Sequence, residues 1–137
     1  MKAYIAGPLC LKKEREFLEK IDRICKKYDI KTFLPHRDCG LWKEGVNFKK
    51  IAEGDISGFN GCDLIIANLN GFNVGAGTAW EMGYAFAKGI QVIAIKTDRE
   101  INEAIEELSA IVIGTTKILK SFDELDKELA KLVKSSC

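Results

Sequence analysis

The chain has almost no net charge. Its 21 basic and 20 acidic residues leave +1, which gives no electrostatic footprint for nucleic acid or an anionic membrane, and neither is expected as a partner. Histidine occurs once, at His36. The cysteines Cys10, Cys25, Cys39, Cys62 and Cys137 form no CxxC pair and no Cys/His cluster. That removes the usual zinc spacings and a disulfide framework, and free thiols in a reducing compartment are expected. No apolar run approaches the roughly 20 residues needed to span a bilayer. The first apolar segment is broken at Gly7-Pro8 with no small-residue cleavage site after it, so a cytoplasmic protein without a signal peptide is expected. Phosphate-binding glycine motifs are missing too. NGFNVGAGTAWE holds no GxGxxG and follows the third predicted strand, not the first, and no Gly-Lys-Ser/Thr is present. Pro8 lacks an N–H, so the turn after strand 1 is a poor phosphate cradle. A Cys39–His36 nucleophile lacks an obvious third group.

What the chain does have is one nearly uncharged stretch, residues 64–87, LIIANLNGFNVGAGTAWEMGYAFA. By composition about seven charges belong there; only Glu81 is present. An apolar run (Leu64 to Leu69) leads through a Gly/Asn-rich turn (Asn70 to Gly77) into an apolar helical segment (Thr78 to Ala87). The helical neighbours of Glu81 are Gly77, Thr78, Tyr84 and Ala85, two of them very small, which leaves room for a gap beside the carboxylate. A lone acid on such a helix is costly unless it has a task or a partner. The plain alternative is a surface Glu favoured by the helix N-terminus.

The length of 137 residues fits a single domain, 1–137. Strands are expected at 2–6, 30–34, 63–69, 91–95 and 110–113. Helices are expected at 11–28, 46–59, 78–87, 99–108 and 122–133, with His36 to Gly45 irregular and the tail from Lys134 frayed. Gly89 reads as a helix C-terminal residue and Ser121 as an N-cap. The alternation predicts an α/β fold: a flavodoxin-like open parallel five-stranded sheet, order 2-1-3-4-5, with helices on both faces. Ligands of such sheets lie where the order reverses, here between strands 1 and 3. Gly7, Pro8, the Asn68 to Gly77 loop and the start of the Glu81 helix all belong there.

Two further acids stand out in EGDISGFNGCD. Asp63 reads best as a turn or cap residue. Asp55 is either a solvated helix acid or, if turned into the cleft, the partner of Glu81 in a two-carboxylate site. There one carboxylate attacks an anomeric carbon and the other handles the leaving group's proton. His36 lies past strand 2 on the same edge, as a structural ring or one that contacts a base.

Together YIAGP, FLPHRD, DISGFNGCDLIIANLNG and GTAWEMGYAFAKGIQVIAIKTDRE resemble the nucleoside 2-deoxyribosyltransferases, a superfamily that includes the 2′-deoxynucleoside 5′-phosphate N-hydrolases. The resemblance covers most of residues 3 to 99. It implies a flavodoxin-like enzyme without metal or other cofactor, acting on a small-molecule deoxynucleoside or deoxynucleotide. It also implies a homo-oligomer whose site a neighbouring subunit completes. Glu81 matches the nucleophile that forms a covalent 2-deoxyribosyl ester, Asp55 the acid that assists the base, and Tyr4 an aromatic that orients the nucleophile. Gly7 and Pro8 match the sugar-side turn, and Asn102 an Asn contributed across the subunit interface. His36, Asp38, Asn68 and Gly77 fall in the matching binding segments. Gly75 stands where many transferases carry Asp and phosphate-preferring hydrolases carry Ser. Transfer of the sugar to another nucleobase is the expected reaction. Hydrolysis of 2′-deoxynucleoside 5′-monophosphates is the alternative, and a non-catalytic nucleotide-binding module is the rival of another class.

Overall fold

Successive side chains of a strand face opposite ways, so a strand covered on both sides must be apolar throughout. Leu64–Asn68 meets that condition, with all five residues buried. In the computed structural model, which describes all 137 residues, this strand (β3) is the centre of one five-stranded parallel sheet ordered β2-β1-β3-β4-β5. Its companions are β1 (Lys2–Ala6), β2 (Lys31–Phe33), β4 (Gln91–Ile95) and β5 (Lys117–Leu119). Helices α1 (Lys12–Lys26), α2 (Pro35–Asp38), α3 (Phe48–Gly58), α4 (Ala76–Ala87), α5 (Ile105–Leu108) and α6 (Ala110–Thr115) make the connections, and α7 (Phe122–Ser135) follows the last strand. None is long and apolar enough to cross a membrane.

The strand alternation sorts the core into two layers. Ile5, Leu64, Ile66, Ile93 and Ile95 meet Leu18 and Ile21 of α1 and Leu125 and Leu129 of α7. Tyr4, Ile65, Ala67 and Ala94 face Phe59, just past α3, together with Met82 and Ala85 of α4 and Leu108 of α5. Tyr4 belongs to the second layer, and Asp55 and Glu81 lie beside its Phe59.

The expected order 2-1-3-4-5 is the observed one, and the differences are local. The run Ala110 to Ile113, read as the fifth strand, is the start of α6, and the strand lies a few residues later at Lys117–Leu119. A β-branched run mimics a strand, but Ser109 takes a φ of 68° and redirects the chain. Val112 and Ile113 then pack from a helix onto the second layer, so tertiary packing overrides propensity. Expected helix 99–108 is a 3₁₀ turn (Ile101–Glu103) followed by one turn of α5. The irregular segment hides α2, begun by Pro35 at its first helical position. Helix α3 starts at Phe48, two residues later than expected, because the Asn47 side chain accepts from the Lys50 N–H at 3.1 Å. Helix α7 runs on to Ser135, into the tail expected to fray. Gly89 has the left-handed φ of 73° expected of it, and Ser121 caps α7 by accepting from the Glu124 N–H.

Candidate active site

The site grows from Tyr4. Its neighbours alternate away from it on β1, and its ring enters the second layer, stacked on Phe59 (centroids 3.9 Å apart, planes within 2°) and on Phe33 (5.1 Å). Such close stacking needs bare backbone nearby. Gly54 and Gly58 are four apart on α3 and so share a face. A Cβ on Gly58 would lie 2.5 Å from the Phe33 ring, and one on Gly54 2.7 Å from Cys39 Sγ. Asp55 follows Gly54, and Glu81 approaches from α4.

The loop that delivers α4 is anchored. Lys96, buried at the end of β4, donates to the Leu69 carbonyl at 3.0 Å and pairs with Asp98 at 2.8 Å. Asp98 accepts the Gly71 N–H at 2.8 Å, and the Asn70 amide bonds Thr97 through both its ends. These contacts pin residues 69–71 to the next strand before the chain turns into α4, so the Glu81 side chain is placed by scaffold rather than by a free loop.

Glu81, Asp55, Ala52, Ile56, Phe59, Gly77 and Trp80 line a cavity of about 200 Å³. The gap expected beside Glu81 is therefore present, and Gly77 has open space where a Cβ would lie. Asp55 also lines a second cavity of about 590 Å³, with Leu9, Arg15, Pro35, Trp42, Phe48 and Ile51 among its walls. Trp42 and Phe48 stack there at 6.4 Å, both largely exposed.

Electrostatics couple the two acids. Burial pushes Glu81 up to about 7; the Tyr4 hydroxyl works against that rise, and the Asp55 charge adds to it. The helix N-terminus does not hold the carboxylate at its ordinary value. Glu81 sits six residues past the Gly75 N-cap, and the dipole's influence is confined to about the first turn. Asp55 is raised by burial, opposed by the Cys39 thiol. Tyr4 is raised by burial and then by Glu81. Its hydroxyl is buried without a partner at hydrogen-bond geometry, so it feels the Glu81 carboxylate without a fully formed bond to it.

The remaining expected residues are spread more widely. Pro8 and Asn68 line a separate cleft of about 430 Å³ with Asn70, Gly71 and Asp98. Gly7 allows β1's end to approach α1 and β3 closely: a Cβ there would fall 2.8 Å from Leu18 Cδ2 and 2.9 Å from Asn68 Cβ. Gly7→Ala should cost about 1–3 kcal/mol, read as a lowered urea midpoint with an unchanged slope. His36 turns onto α1, with Nε2 3.0 Å from Glu19 Oε1. Asp38 binds Arg37 and accepts the Leu34 N–H at 2.9 Å, and burial cannot offset these bonds, so its pKa is lowered. Gly75 is the exposed N-cap of α4. Asn102 is exposed on the 3₁₀ turn, without a side-chain hydrogen bond within this chain. Arg15, Trp42, Phe48 and Trp80 carry no spacing signal, and Cys39 stands out only for its nearness to His36. The one available signal was a pair of aromatics flanking an otherwise polar segment just before α3.

A model of the nucleoside 2-deoxyribosyltransferase family matches residues 3–114. The chain belongs to that family. Membership assigns it chemistry of the deoxyribosyltransferase and N-glycosidase type. No curated protein matches it. Among solved structures, a conserved protein of Enterococcus faecalis V583 is similar at 25% identity and TM-score 0.76, over 96% of this chain and 98% of that one. A 2-deoxyribosyltransferase of Bacillus psychrosaccharolyticus is similar at 16% identity and TM-score 0.75, over 92% and 90%. A CMP N-glycosidase of Clostridium botulinum is similar at 19% identity and TM-score 0.61, over 96% and 99%. The last two likenesses concern the fold.

Proposed function

We propose that this family member cleaves the N-glycosidic bond of 2′-deoxynucleosides and passes the 2-deoxyribosyl group to another nucleobase through an ester on Glu81. The observation that carries the reading is the half-buried Glu81 carboxylate, elevated to about 7, on one cavity with Asp55. A 2-deoxyribosyl centre has no 2-hydroxyl to withdraw electrons, so its cation-like transition state is comparatively accessible. The ionised Glu81 oxygen stabilises that charge and bonds to C1′ as the C1′–N bond breaks. The bonding pair leaves with the base, which takes a proton from Asp55. An acceptor base then attacks C1′, releases the carboxylate and returns a proton to Asp55. The state with one proton across the pair is the competent one. Trp42 and Phe48 supply faces on which a base stacks on the Asp55 side.

Mass spectrometry of the protein mixed with a 2′-deoxynucleoside tests this directly. A deoxyribosyl adduct on the peptide containing Glu81 is expected, and its absence under conditions of base release rejects the ester.

Arg15 favours a second reading, hydrolysis of 2′-deoxynucleoside 5′-monophosphates. Its guanidinium lines the larger cavity and donates only to the Leu9 and Cys10 carbonyls, at 2.7 and 3.0 Å. A cation without a carboxylate partner suits a substrate anion. If the 5′-phosphate binds there, Arg15→Ala raises KM for the monophosphate about tenfold or more and leaves the nucleoside unaffected. Equal KM changes for both substrates reject the phosphate role. Sugar release that is independent of acceptor base marks hydrolysis over transfer.

A further inference from the structure

Asp55 is the less supported of the two carboxylates. Its Oδ1 is buried without a hydrogen-bond partner, and such an oxygen is costly to leave unsatisfied. Several groups face it: Tyr4 from β1, Glu81 from α4 and Arg15 from α1. From the segment after α2 comes Cys39, which itself feels Asp38. Cys39 is drawn inward by the end of α2, its N–H donating to the Pro35 carbonyl at 2.8 Å. Its sulfur then occupies space that only a glycine at position 54 leaves open, 2.7 Å from where a Cβ would lie. The residue that admits the thiol thus immediately precedes the acid. Burial and the Asp55 charge push this thiol up to about 11. At neutral pH it is therefore a protonated S–H, a poor nucleophile and a poor redox sensor, and what remains to it is hydrogen-bond donation.

We propose that Cys39 is a positioning residue for Asp55, its S–H aimed at the carboxyl group through the notch at Gly54, so that one oxygen is engaged and the other keeps the proton delivered to the leaving base. This rests on the reaction proposed above. The donor favours the ionised form of Asp55, so it lowers the pH range over which Asp55 holds its proton. Arg15 favours the same form, and Glu81 and Tyr4 do not replace it, because one is a like charge and the other is turned to Glu81.

The test compares Cys39→Ala, which loses the donor, with Cys39→Ser, which keeps one. The Asp55 carboxyl carbon is titrated by ¹³C NMR in proteins that all carry Glu81→Gln, so that the neighbouring acid does not titrate with it. The pH profile of kcat/KM is measured with Glu81 intact. Cys39→Ala should raise the Asp55 midpoint by about half to one pH unit, Cys39→Ser should restore it, and the pair's profile should move upward with it. Water entering the space left by Ala would lower the midpoint, so the sign separates a lost donor from a simple cavity. An unchanged or lowered midpoint in Cys39→Ala, or no restoration by Ser, overturns the proposal. The NMR comparison needs no turnover. A shifted midpoint in a protein that cleaves no deoxyribosyl compound supports the thiol contact and rejects the reaction instead.

Discussion

Glu81→Gln should lower turnover by a factor on the order of 10⁴ and at the same time make the fold more stable above neutral pH. Both effects come from one feature, a carboxylate carried into a partly dry cavity beside a second acid. Gln keeps the size of the side chain and removes the anion that captures C1′, so base release is the step lost. The stability effect follows from linkage. The folded-state value of Glu81 is about 7 against an ordinary 4.5, so the fold binds this proton more tightly than the unfolded chain does. Below about pH 4.5 both states hold the proton and Glu81 contributes nothing either way. From there to about pH 7 the penalty of ionising it in place grows, and above that it is constant, at roughly 2–3 kcal/mol. Urea denaturation of the two proteins should show Gln ahead by that order at pH 8 and the difference gone by pH 4. Equal stability at both pH values would mean that the carboxylate is solvated, and the catalytic reading would lose its support with it. In the wild-type protein kcat/KM should follow a bell whose limbs belong to the pair, because the competent state holds one proton across Glu81 and Asp55.

Why Glu81 was legible and its surroundings were not is a matter of range. An acid alone on an apolar helix after a buried strand contradicts local composition, and a contradiction of that kind can be read from neighbouring residues. The sheet order was legible for a similar reason: continuous apolar runs such as Leu64-Ile65-Ile66-Ala67 occur where both faces are covered, and right-handed crossovers leave few arrangements. The fifth strand was not, because Ile111-Val112-Ile113 carries strand propensity while the positive φ at Ser109 and the packing surface under α6 decide the outcome. The anchoring of the α4 loop by Lys96, Asp98 and Asn70 depends on β3 and β4 being adjacent, which no local pattern encodes. The notch at Gly54 and its occupant Cys39 meet only after α3 has folded over the segment behind β2. His36 and Asp38 show the converse. Both sit in a segment shared with the family, yet their side chains are engaged by Glu19 and Arg37, partners that sequence proximity to a cleft does not reveal.

Asp55→Asn should reduce kcat/KM by about 10²–10⁴-fold for ordinary deoxynucleosides, and the informative quantity is how that loss depends on the leaving base. Asn keeps the shape of the side chain but has no proton to give, so a neutral base must depart as an anion. A 2′-deoxynucleoside of an N7-methylated purine carries its positive charge already. Its base leaves neutral without help, and the variant should act on it within about tenfold of wild type. The same substitution removes a charge that helps raise Glu81. Glu81, titrating alone, should therefore ionise below pH 7, so the profile becomes a single rise there and the basic limb, which reports loss of the pair's last proton, should vanish. A shared loss on both substrates with the basic limb retained would place Asp55 in the scaffold rather than in proton transfer. A loss confined to the neutral base, together with the downward shift, would instead make the two carboxylates one unit, each setting the other's proton affinity across the same cavity.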